Sequence, residues 1–272
     1  MPTFPVIAAI PNYNMAKGLQ RLLPQLLKQD YAHIYVLDDA STDNSEEVAK
    51  SFGSKVTFVK SKVNGGAGAA RNQLMPFLKD KSLIHFLDAD VSILTSNAPS
   101  VIQNLSIDDS TGFIIGLVCN THKKQSVWNY GAKMSLASMV SSWFAYGYSY
   151  IENKYPKVNL KALYAMFWQR PNPHRAPKAR PIFWGSEANI IIRSDTFKEL
   201  GGFDPKIREH DIQPLAYKAA KEGLVSRFEP QITVQTHDDL NVRRYNRNLA
   251  MLKAEWYILR TYSSPLRWLF GK

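Results

Sequence analysis

Two aspartates, Asp88 and Asp90, directly follow the apolar run Leu83–Leu87 and are separated by a single residue. Burying an unpaired carboxylate costs so much free energy that the chain must either reach water here or hold a positive charge. Carboxylate oxygens suit Mg²⁺ and Mn²⁺, which commonly bind through one or two carboxylates together with substrate phosphates. The pattern alone is also compatible with a solvated turn, which is the commoner case. Its position behind a buried strand is what points to a cation.

A glycine-rich stretch, Val63–Asn72, reads VNGGAGAARN. Gly65, Gly66 and Gly68 would let the backbone approach a phosphate, and Arg71 could pair with that phosphate. The stretch lacks the Gly-Lys-Ser/Thr ending of a P-loop, and Arg71 stands where a dinucleotide fingerprint needs its third glycine. ATPase and nicotinamide dehydrogenase functions are therefore disfavoured, and a plain helix-entry loop with a surface arginine stays as the alternative.

The first half of the chain supplies alternating strand and helix patterns that can position these residues. The predicted strands are Val6–Ile10, His33–Leu37, Val56–Val59, Leu83–Leu87 and Phe113–Val118, and the predicted helices are Met15–Gln29, Ser41–Phe52 and Gly68–Leu78. Strands separated by helices indicate parallel βαβ units, whose ligands bind beyond the carboxyl ends of the strands. We therefore expect Pro11–Asn14, Asp38–Ser45, the glycine-rich stretch and Asp88–Asp90 to share one edge.

The second half is less regular. Residues 120–180 are rich in aromatics and end in RPNPHRAPKARP, for which the prolines predict a mobile loop without regular structure. The uncharged segment Met134–Ile151 reaches the length of a membrane span, but its serines and tyrosines favour a buried or interfacial helix. Beyond the loop, strand, helix, turn and helix patterns resume, followed by a strand at Ile232–Gln235.

The composition sets broad limits on function. Apolar residues make up 45% of the 272 residues and charged residues 21%, as in ordinary soluble globular proteins. A formal charge of +11 favours an anionic partner. The lone cysteine, Cys119, excludes an intramolecular disulfide and a zinc-thiolate cluster and is expected to be a core residue. Residues 1–20 lack the pattern of a signal peptide, so a cytoplasmic location is expected.

Five segments carry a resemblance to a known family. IPNYN, LDDASTDNS, NGGAGAARN, FLDAD and GSEANIIIRSDTFKELGGFD occur in the order and spacing of glycosyltransferase family 2, which the chain resembles from about Val6 to Gly223. The resemblance implies the GT-A fold, an α/β fold with a Rossmann-like, mostly parallel sheet flanked by helices. We predict a transferase domain over 1–240, with a nucleotide-sugar half at 1–119 and an acceptor half at 120–240, and a basic helical tail at 241–272.

The resemblance also implies an activity. An inverting transferase of this kind would move a sugar from a nucleotide-sugar, expected to be a UDP-sugar, to a hydroxyl of a glycan or lipid-linked acceptor in surface polysaccharide synthesis. It would use Mn²⁺ or Mg²⁺. The alternative is a transferase-like binding protein without turnover, because Ile212 stands where the family has a second acidic residue. Nucleic-acid binding ranks last, since neither RNA-binding aromatics nor zinc-finger spacing is present.

On the donor side, the resemblance assigns roles position by position. Pro11 and Tyr13 would hold the nucleobase, Tyr13 by stacking, and Asp39 would accept the uracil N3 hydrogen. Arg71, preceded by Gly66, would approach the nucleotide. Asp88 would lie near the ribose and donor sugar, and Asp90 would bind the metal ion. His237 resembles a late histidine placed near the metal or diphosphate, although a lone histidine is more often structural.

On the acceptor side, the expected catalytic base is a carboxylate that takes the proton of the acceptor hydroxyl. Counting back from Gly223 favours Asp211 for this role, Glu209 is the rival, and either residue could simply cap a helix. Trp184 and Glu187 open the acceptor-side segment, and Trp184 would be either a sugar platform or a core aromatic.

The tail is basic and aromatic. Val242–Lys272 carries seven basic residues against one acidic residue, Glu255. Such a segment could lie on an anionic membrane at the inner face of the plasma membrane, where each basic residue contributes about 1 kcal/mol. A solvated helix packed on the core is the alternative.

Overall fold

The computed structural model describes residues 4–78, 81–120, 130–134, 140, 143–144, 177–237 and 244–263. The chain forms two compact units. The first comprises Met1–Gly131 and Pro173–Asp238, and the second comprises Ala132–Asn172 and Asp239–Lys272. The candidate site residues all belong to the first unit. The sequence-based division after residues 119 and 240 stays a prediction.

The bounds of the elements are as follows. The strands are β1 (Val6–Asn12), β2 (His33–Asp38), β3 (Val56–Lys60), β4 (Leu83–Leu87), β5 (Val91–Ile93), β6 (Thr111–Cys119), β7 (Tyr130–Gly131), β8 (Arg180–Ile182), β9 (Trp184–Gly185), β10 (Asn189–Arg193) and β11 (Val225–Thr236). The helices are α1 (Ala16–Leu27), α2 (Ser45–Lys50), α3 (Ala67–Asn72), α4 (Ala98–Gln103), α5 (Ser194–Glu199), α6 (Ile212–Lys221) and α7 (Arg244–Tyr262), with a 3₁₀ turn at Met75–Phe77.

In the described residues the main sheet has the strand order β3-β2-β1-β4-β10-β6-β11-β5, and β8 pairs with β11. The four strands β3, β2, β1 and β4 are parallel, which confirms the βαβ units of the first half. β10 lies antiparallel between β4 and β6, so the acceptor-side segment enters the centre of the sheet. The mixed α/β fold is confirmed, and the carboxyl ends of β1, β2 and β4 meet at one edge.

Two elements differ from the sequence-based prediction. The helix predicted over Gly68–Leu78 ends at Asn72, and Pro76, which cannot continue a helix, lies in the 3₁₀ turn that follows. The expected loop ending at Pro181 includes strand β8, where Pro181 is tolerated because β8 is bonded only through β11 in the described sheet. Residues 170–176 of this expected loop lie outside the described residues, and so does most of the segment Met134–Ile151.

The core of the first unit consists of two apolar clusters. One contains the leucine face of α1, formed by the fully buried Leu19, Leu22, Leu23 and Leu26 at the spacing of an amphipathic helix. In the other, Phe86, Phe197 and Phe203 contact one another with ring centroids 5.3 to 5.8 Å apart. Cys119 is buried in this second cluster, as predicted.

Among the residues that the structure describes, no helix combines the length and the apolar character needed to cross a membrane. α7 belongs to the second unit and is a 19-residue helix. Its exposed residues include Lys253, Trp256 and Arg260. Because these three are spaced by three and four residues, they lie on one face of the helix.

Candidate active site

The loop after β2 is held by Asp38. This carboxylate is fully buried and accepts hydrogen bonds from Asn12 Nδ2 (2.8 Å) and from the Ser41 backbone N–H (2.9 Å). Asn14 adopts a left-handed backbone conformation with φ of 54°, and its Oδ1 accepts the backbone N–H of Thr42 at 2.8 Å. The turns after β1 and β2 are therefore fixed to each other by side chains.

Asp39 connects the same loop to the glycine-rich stretch. Its two carboxylate oxygens accept the backbone N–H groups of Gly65 and Gly66, each at 2.7 Å. Gly66 has φ of 91°, in the region that favours glycine, and directly precedes α3. The contact of Asp39 with a nucleobase stays a prediction, and the structure gives the residue a second task in shaping the entry to α3.

Pro11 and Tyr13 lie beside this loop. Pro11 is buried in β1 opposite Leu37 of β2. The Tyr13 side chain is 51% exposed in the turn after β1. An exposed aromatic ring at the carboxyl edge of the sheet is what stacking on a nucleobase requires, so its geometry agrees with the predicted role without testing it.

Arg71 is the centre of the site. Its side chain is 1% exposed, with Nη1 2.9 Å from Asp211 Oδ2 and Nη2 2.8 Å from Asp88 Oδ1. Nη2 also donates to the backbone carbonyl of Glu187 at 3.2 Å, and the guanidinium lies 5.3 Å from the centroid of the Phe203 ring. Arg71 therefore joins the end of β4 to the start of α6. Its predicted contact with the nucleotide stays a prediction.

Glu187 completes this cluster. Its Oε1 accepts the backbone N–H of Ile212, the residue after Asp211, at 3.2 Å. Burial raises the pKa of Glu187 well above its ordinary value, and the negative charge of Asp211 raises it further, whereas Arg71 opposes the shift. The pairing of residues 187 and 211 could not be predicted from the sequence, because they are distant in the chain and carry no shared motif.

The two rival bases occupy different environments. Asp211 lies at the start of α6, is 2% exposed and contacts Arg71. Glu209 is half-buried in the preceding turn, separated from Asp211 by His210, which has a left-handed φ of 58°. Asp211 is therefore the one of the two that is joined to Asp88 through Arg71.

Asp90 and His237 lie side by side at the ends of neighbouring segments. The His237 backbone N–H donates to the Asp90 carbonyl at 2.9 Å, and the His237 Nε2 lies 2.8 Å from Ser92 Oγ. Burial lowers the pKa of His237 and the positive charge of Arg21 lowers it further, which favours the neutral, metal-binding form of the ring.

A metal ion at this place would need ligands beyond the protein. The described part of the chain contains no group of three or more His, Cys, Asp or Glu residues that could hold one. Mn²⁺ is nevertheless compatible with a carboxylate and an imidazole whose coordination is completed by phosphate oxygens. Mg²⁺ is compatible with the same set if the imidazole does not bind. Asp90 and His237 thus fit a divalent ion that arrives with a diphosphate.

Helix α1 supports the segment that carries Asp90. Gln25 donates through Nε2 to Ser92 Oγ at 3.1 Å and accepts the Ile93 backbone N–H at 3.0 Å. A Cβ atom on Gly18 would lie 2.3 Å from the Ala89 carbonyl oxygen, so only glycine allows the helix to approach this closely. Sequence reasoning missed Gln25 and Gly18, because both appear as unremarkable positions of an amphipathic helix.

Trp184 lies in β9, which pairs with β7. A Cβ atom on Gly131 would lie 2.4 Å from the Trp184 ring, which therefore covers the Gly131 backbone. The ring is partly buried and packs against the second core cluster. This packing agrees with the core-aromatic alternative, and a role of Trp184 or Glu187 in acceptor binding stays a prediction.

Comparison with known proteins identifies the class of this fold and site. The profile of "Glycosyl transferase family 2" matches residues 7–169, more than half of the chain. The chain therefore belongs to glycosyl transferase family 2, which confirms the resemblance seen in its motifs.

Curated relatives share part of the sequence. "Glycosyltransferase GlyG" of Streptococcus pneumoniae serotype 4 is 28% identical over 110 residues, which cover 39% of this chain and 36% of that protein. "Uncharacterized glycosyltransferase RP339" of Rickettsia prowazekii is 36% identical over 74 residues, which cover 26% of this chain and 23% of that protein. The chain thus spans about a third or less of the length of these curated relatives.

Solved structures share the fold. GalNAc-T7 with UDP, GalNAc and Mn²⁺ has a TM-score of 0.61 at 16% identity, covering 96% of this chain and 51% of that one. Mannosyltransferase PcManGT from Pyrobaculum calidifontis with GDP-Man and Mn²⁺ has a TM-score of 0.59 at 15% identity, covering 98% and 67%. S. aureus TarS 1-349 with UDP has a TM-score of 0.54 at 16% identity, covering 93% and 65%. The chain therefore has the GT-A fold of these glycosyltransferases.

Proposed function

We propose that this chain is an inverting glycosyltransferase that moves a sugar from a UDP-sugar to a hydroxyl of a glycan or lipid-linked acceptor in surface polysaccharide synthesis. The observation that carries the proposal is the position of Arg71 between two carboxylates. Asp88 comes from the end of a parallel strand, where donors bind in such sheets, and Asp211 comes from the segment predicted to face the acceptor. One buried cation thus joins a donor-side acid to an acceptor-side acid.

The donor would occupy the carboxyl edge of β1, β2 and β4. In this proposal the Tyr13 ring stacks on the base, with Pro11 behind it, and Asp39 accepts the uracil N3 hydrogen. Asp39 is suited to this because its bonds to the Gly65 and Gly66 N–H groups fix the orientation of its carboxylate. Gly66 then brings the backbone close to the nucleotide, and Asp88 faces the ribose and donor sugar.

Asp90 and His237 would hold Mn²⁺ or Mg²⁺. When bound, the ion would act as a Lewis acid that neutralises the departing nucleoside diphosphate. Two of the structures with this fold, GalNAc-T7 and PcManGT, were obtained with Mn²⁺, which supports a divalent ion here as well. The protein would hold these two residues at neighbouring positions, and the bond from the His237 backbone N–H to the Asp90 carbonyl supports this by joining their backbones.

Asp211 would take the proton from the acceptor hydroxyl. A carboxylate in this role must be ionised and within hydrogen-bond reach of the attacking oxygen. The Arg71 guanidinium lies 2.9 Å from Asp211 Oδ2, and the 2% exposure of the Asp211 side chain means that a neighbouring group must move aside when the acceptor binds. Glu209 is the alternative base.

A screen of nucleotide-sugars with Mn²⁺ tests the proposal. A ligand that binds only the native state raises the melting temperature by mass action, and UDP release on incubation reports turnover. We expect stabilisation by UDP-sugars and slow UDP release, which acceptor addition accelerates. Stabilisation without any release would favour the transferase-like binding protein.

Calorimetry on two variants tests the donor site. Asp90→Ala should remove the metal dependence of UDP binding, and Asp39→Ala should weaken UDP binding. Unchanged UDP affinity in both variants would contradict the donor site.

We also propose an anionic membrane surface as a partner of the tail. The support is the exposed face of α7, where Trp256 lies between the cations Lys253 and Arg260. Replacing both cations with glutamine should reduce sedimentation with anionic vesicles, whereas the same change at Lys50 and Lys60 in the first unit should not. Equal sedimentation with neutral and anionic vesicles would contradict an electrostatic role.

A further inference from the structure

Glu187 and Asp211 belong to one cluster: the Glu187 Oε1 accepts the backbone N–H of Ile212, the residue after Asp211, and Arg71 donates hydrogen bonds to both residues. Carboxylates only accept hydrogen bonds, so two carboxyl groups in such a cluster can bond to each other only if one of them holds a proton. Two ionised carboxylates side by side would repel each other, as in other pairs where one group keeps its proton. The remaining question is which of the two residues holds the proton.

The surrounding groups decide this in favour of Glu187. The charged groups that face the pair are Arg71 on α3 and Asp88 at the end of β4. The Arg71 Nη1 donates directly to the Asp211 carboxylate, whereas Arg71 reaches Glu187 only at its backbone carbonyl. Asp211 therefore has the cation that an ionised group needs. The Oε1 of Glu187 accepts the Ile212 N–H, so its other oxygen is the one that can carry the proton.

We propose that Glu187 is protonated in the folded protein and donates its hydrogen to Asp211, as a positioning residue that holds the Asp211 carboxylate against Arg71. The proposal rests on the proposed function only in calling Asp211 the base. It assigns Glu187 a role different from the acceptor binding expected from the sequence. The raised pKa of Glu187, caused first by burial and then by Asp211, agrees with it.

A charge argument leads to the same conclusion. With Glu187 neutral, Arg71 faces two negative charges, those of Asp88 and Asp211. With Glu187 ionised, three carboxylates would share one guanidinium inside the protein, at a large desolvation cost. Keeping the proton on Glu187 therefore limits the excess negative charge of the cluster and supplies a second donor to the base.

The pH dependence of unfolding tests the protonation state without any substrate. If the folded pKa of Glu187 lies above its unfolded value of about 4.3, the folded state binds one more proton between the two pKa values, and stability falls as pH rises. Glu187→Gln keeps a neutral donor and an acceptor but removes this titration. In that pH window, the ratio of the variant's folding equilibrium constant to that of the wild type should rise about tenfold for each pH unit.

Two comparisons make the test specific. Glu46→Gln is the same chemical change at a glutamate whose hydrogen bonds to Lys50 and Lys60 lower its pKa, so in the acid range its difference from the wild type should move in the opposite direction as pH rises. Glu187→Ala removes both hydrogen bonds and should be less stable than Glu187→Gln at every pH. The proposal is overturned if the difference in unfolding free energy between Glu187→Gln and the wild type does not change with pH. It is also overturned if that difference shifts in favour of the wild type as pH rises.

A spectroscopic measurement covers the case in which a variant fails to fold. In wild-type protein with ¹³C-labelled glutamate carboxyls, one resonance should stay at the protonated position at a pH above the ordinary glutamate pKa of about 4.3. Titration of all glutamate carboxyls in the ordinary range would overturn the proposal.

Where transfer activity is found, Glu187→Ala should lower kcat with little change in the acceptor KM. A raised KM with normal kcat would instead show direct acceptor binding. Because unfolding and resonance measurements need no turnover, failure of the proposed transferase activity would be seen separately.

Discussion

Two regions at the same edge of the sheet hold their carboxylates in different ways. At the loop after β2, Asp38 and Asp39 are satisfied by neutral donors, namely an asparagine, a serine and backbone N–H groups. In the cluster around Arg71, Asp88 and Asp211 depend on one buried guanidinium. Neutral donors fix geometry without a partner charge, whereas the Arg71 cluster depends on a single cation that two carboxylates share. The first region fixes the shape of the sheet edge, and the second holds charge in place.

The largest effect should come from removing basicity in the Arg71 cluster. Asp211→Asn keeps the shape of the side chain but cannot accept a proton, so turnover should fall by about two to four orders of magnitude while UDP binding persists. Steady-state rates and calorimetry measure the two quantities. Glu209→Gln is the matched control and should do much less. If the control is the damaging change, Glu209 is the base, and if both variants keep near-normal turnover, neither residue is.

A smaller effect, on stability, should follow from removing the cation itself. Arg71→Met keeps much of the volume but leaves Asp88 and Asp211 without their partner, so the free energy of unfolding should fall by about 3–5 kcal/mol. Denaturant titration measures this, and the deficit should shrink in acid, where protonated carboxyls no longer need the cation. Arg208→Met, at an exposed arginine that donates to Asn64, should cost about 1 kcal/mol or less. Equal losses in the two variants would contradict the importance of the buried charge.

The neutral-donor region should show the smallest of these changes. Asp39→Ala leaves the N–H groups of Gly65 and Gly66 without their acceptor, at a cost of about 1–3 kcal/mol in unfolding free energy. Denaturant titration measures this loss. Asp109→Ala removes a carboxylate that is 94% exposed and paired with Arg193, and it should cost about 0–1 kcal/mol. A loss at Asp39 as large as that at Arg71 would remove the distinction between the two regions.

The sequence predicts the first half of the fold well, because short apolar runs determine β1 to β4 locally and the leucine spacing determines α1. It does not predict that β10 lies between β4 and β6, since the pairing of Asn189 with Leu87 joins residues that are distant in the chain. The motif residues Asp39, Arg71 and Asp88 do meet at one edge. Their partners could not be found in the same way, because the approach of Glu187 to the backbone beside Asp211 depends on how two loops pack.

The close approach of Gly18 to Ala89 has a consequence for motion. α1 touches the backbone between Asp88 and Asp90, and four residues further on the Ile93 amide is bonded to the Gln25 side chain of the same helix. Local opening events in proteins involve contiguous cooperative groups of residues rather than single contacts. The Ile93 amide should therefore exchange its hydrogen for deuterium only when α1 itself opens, so that this helix and the segment from Ala89 to Ile93 fluctuate as one body.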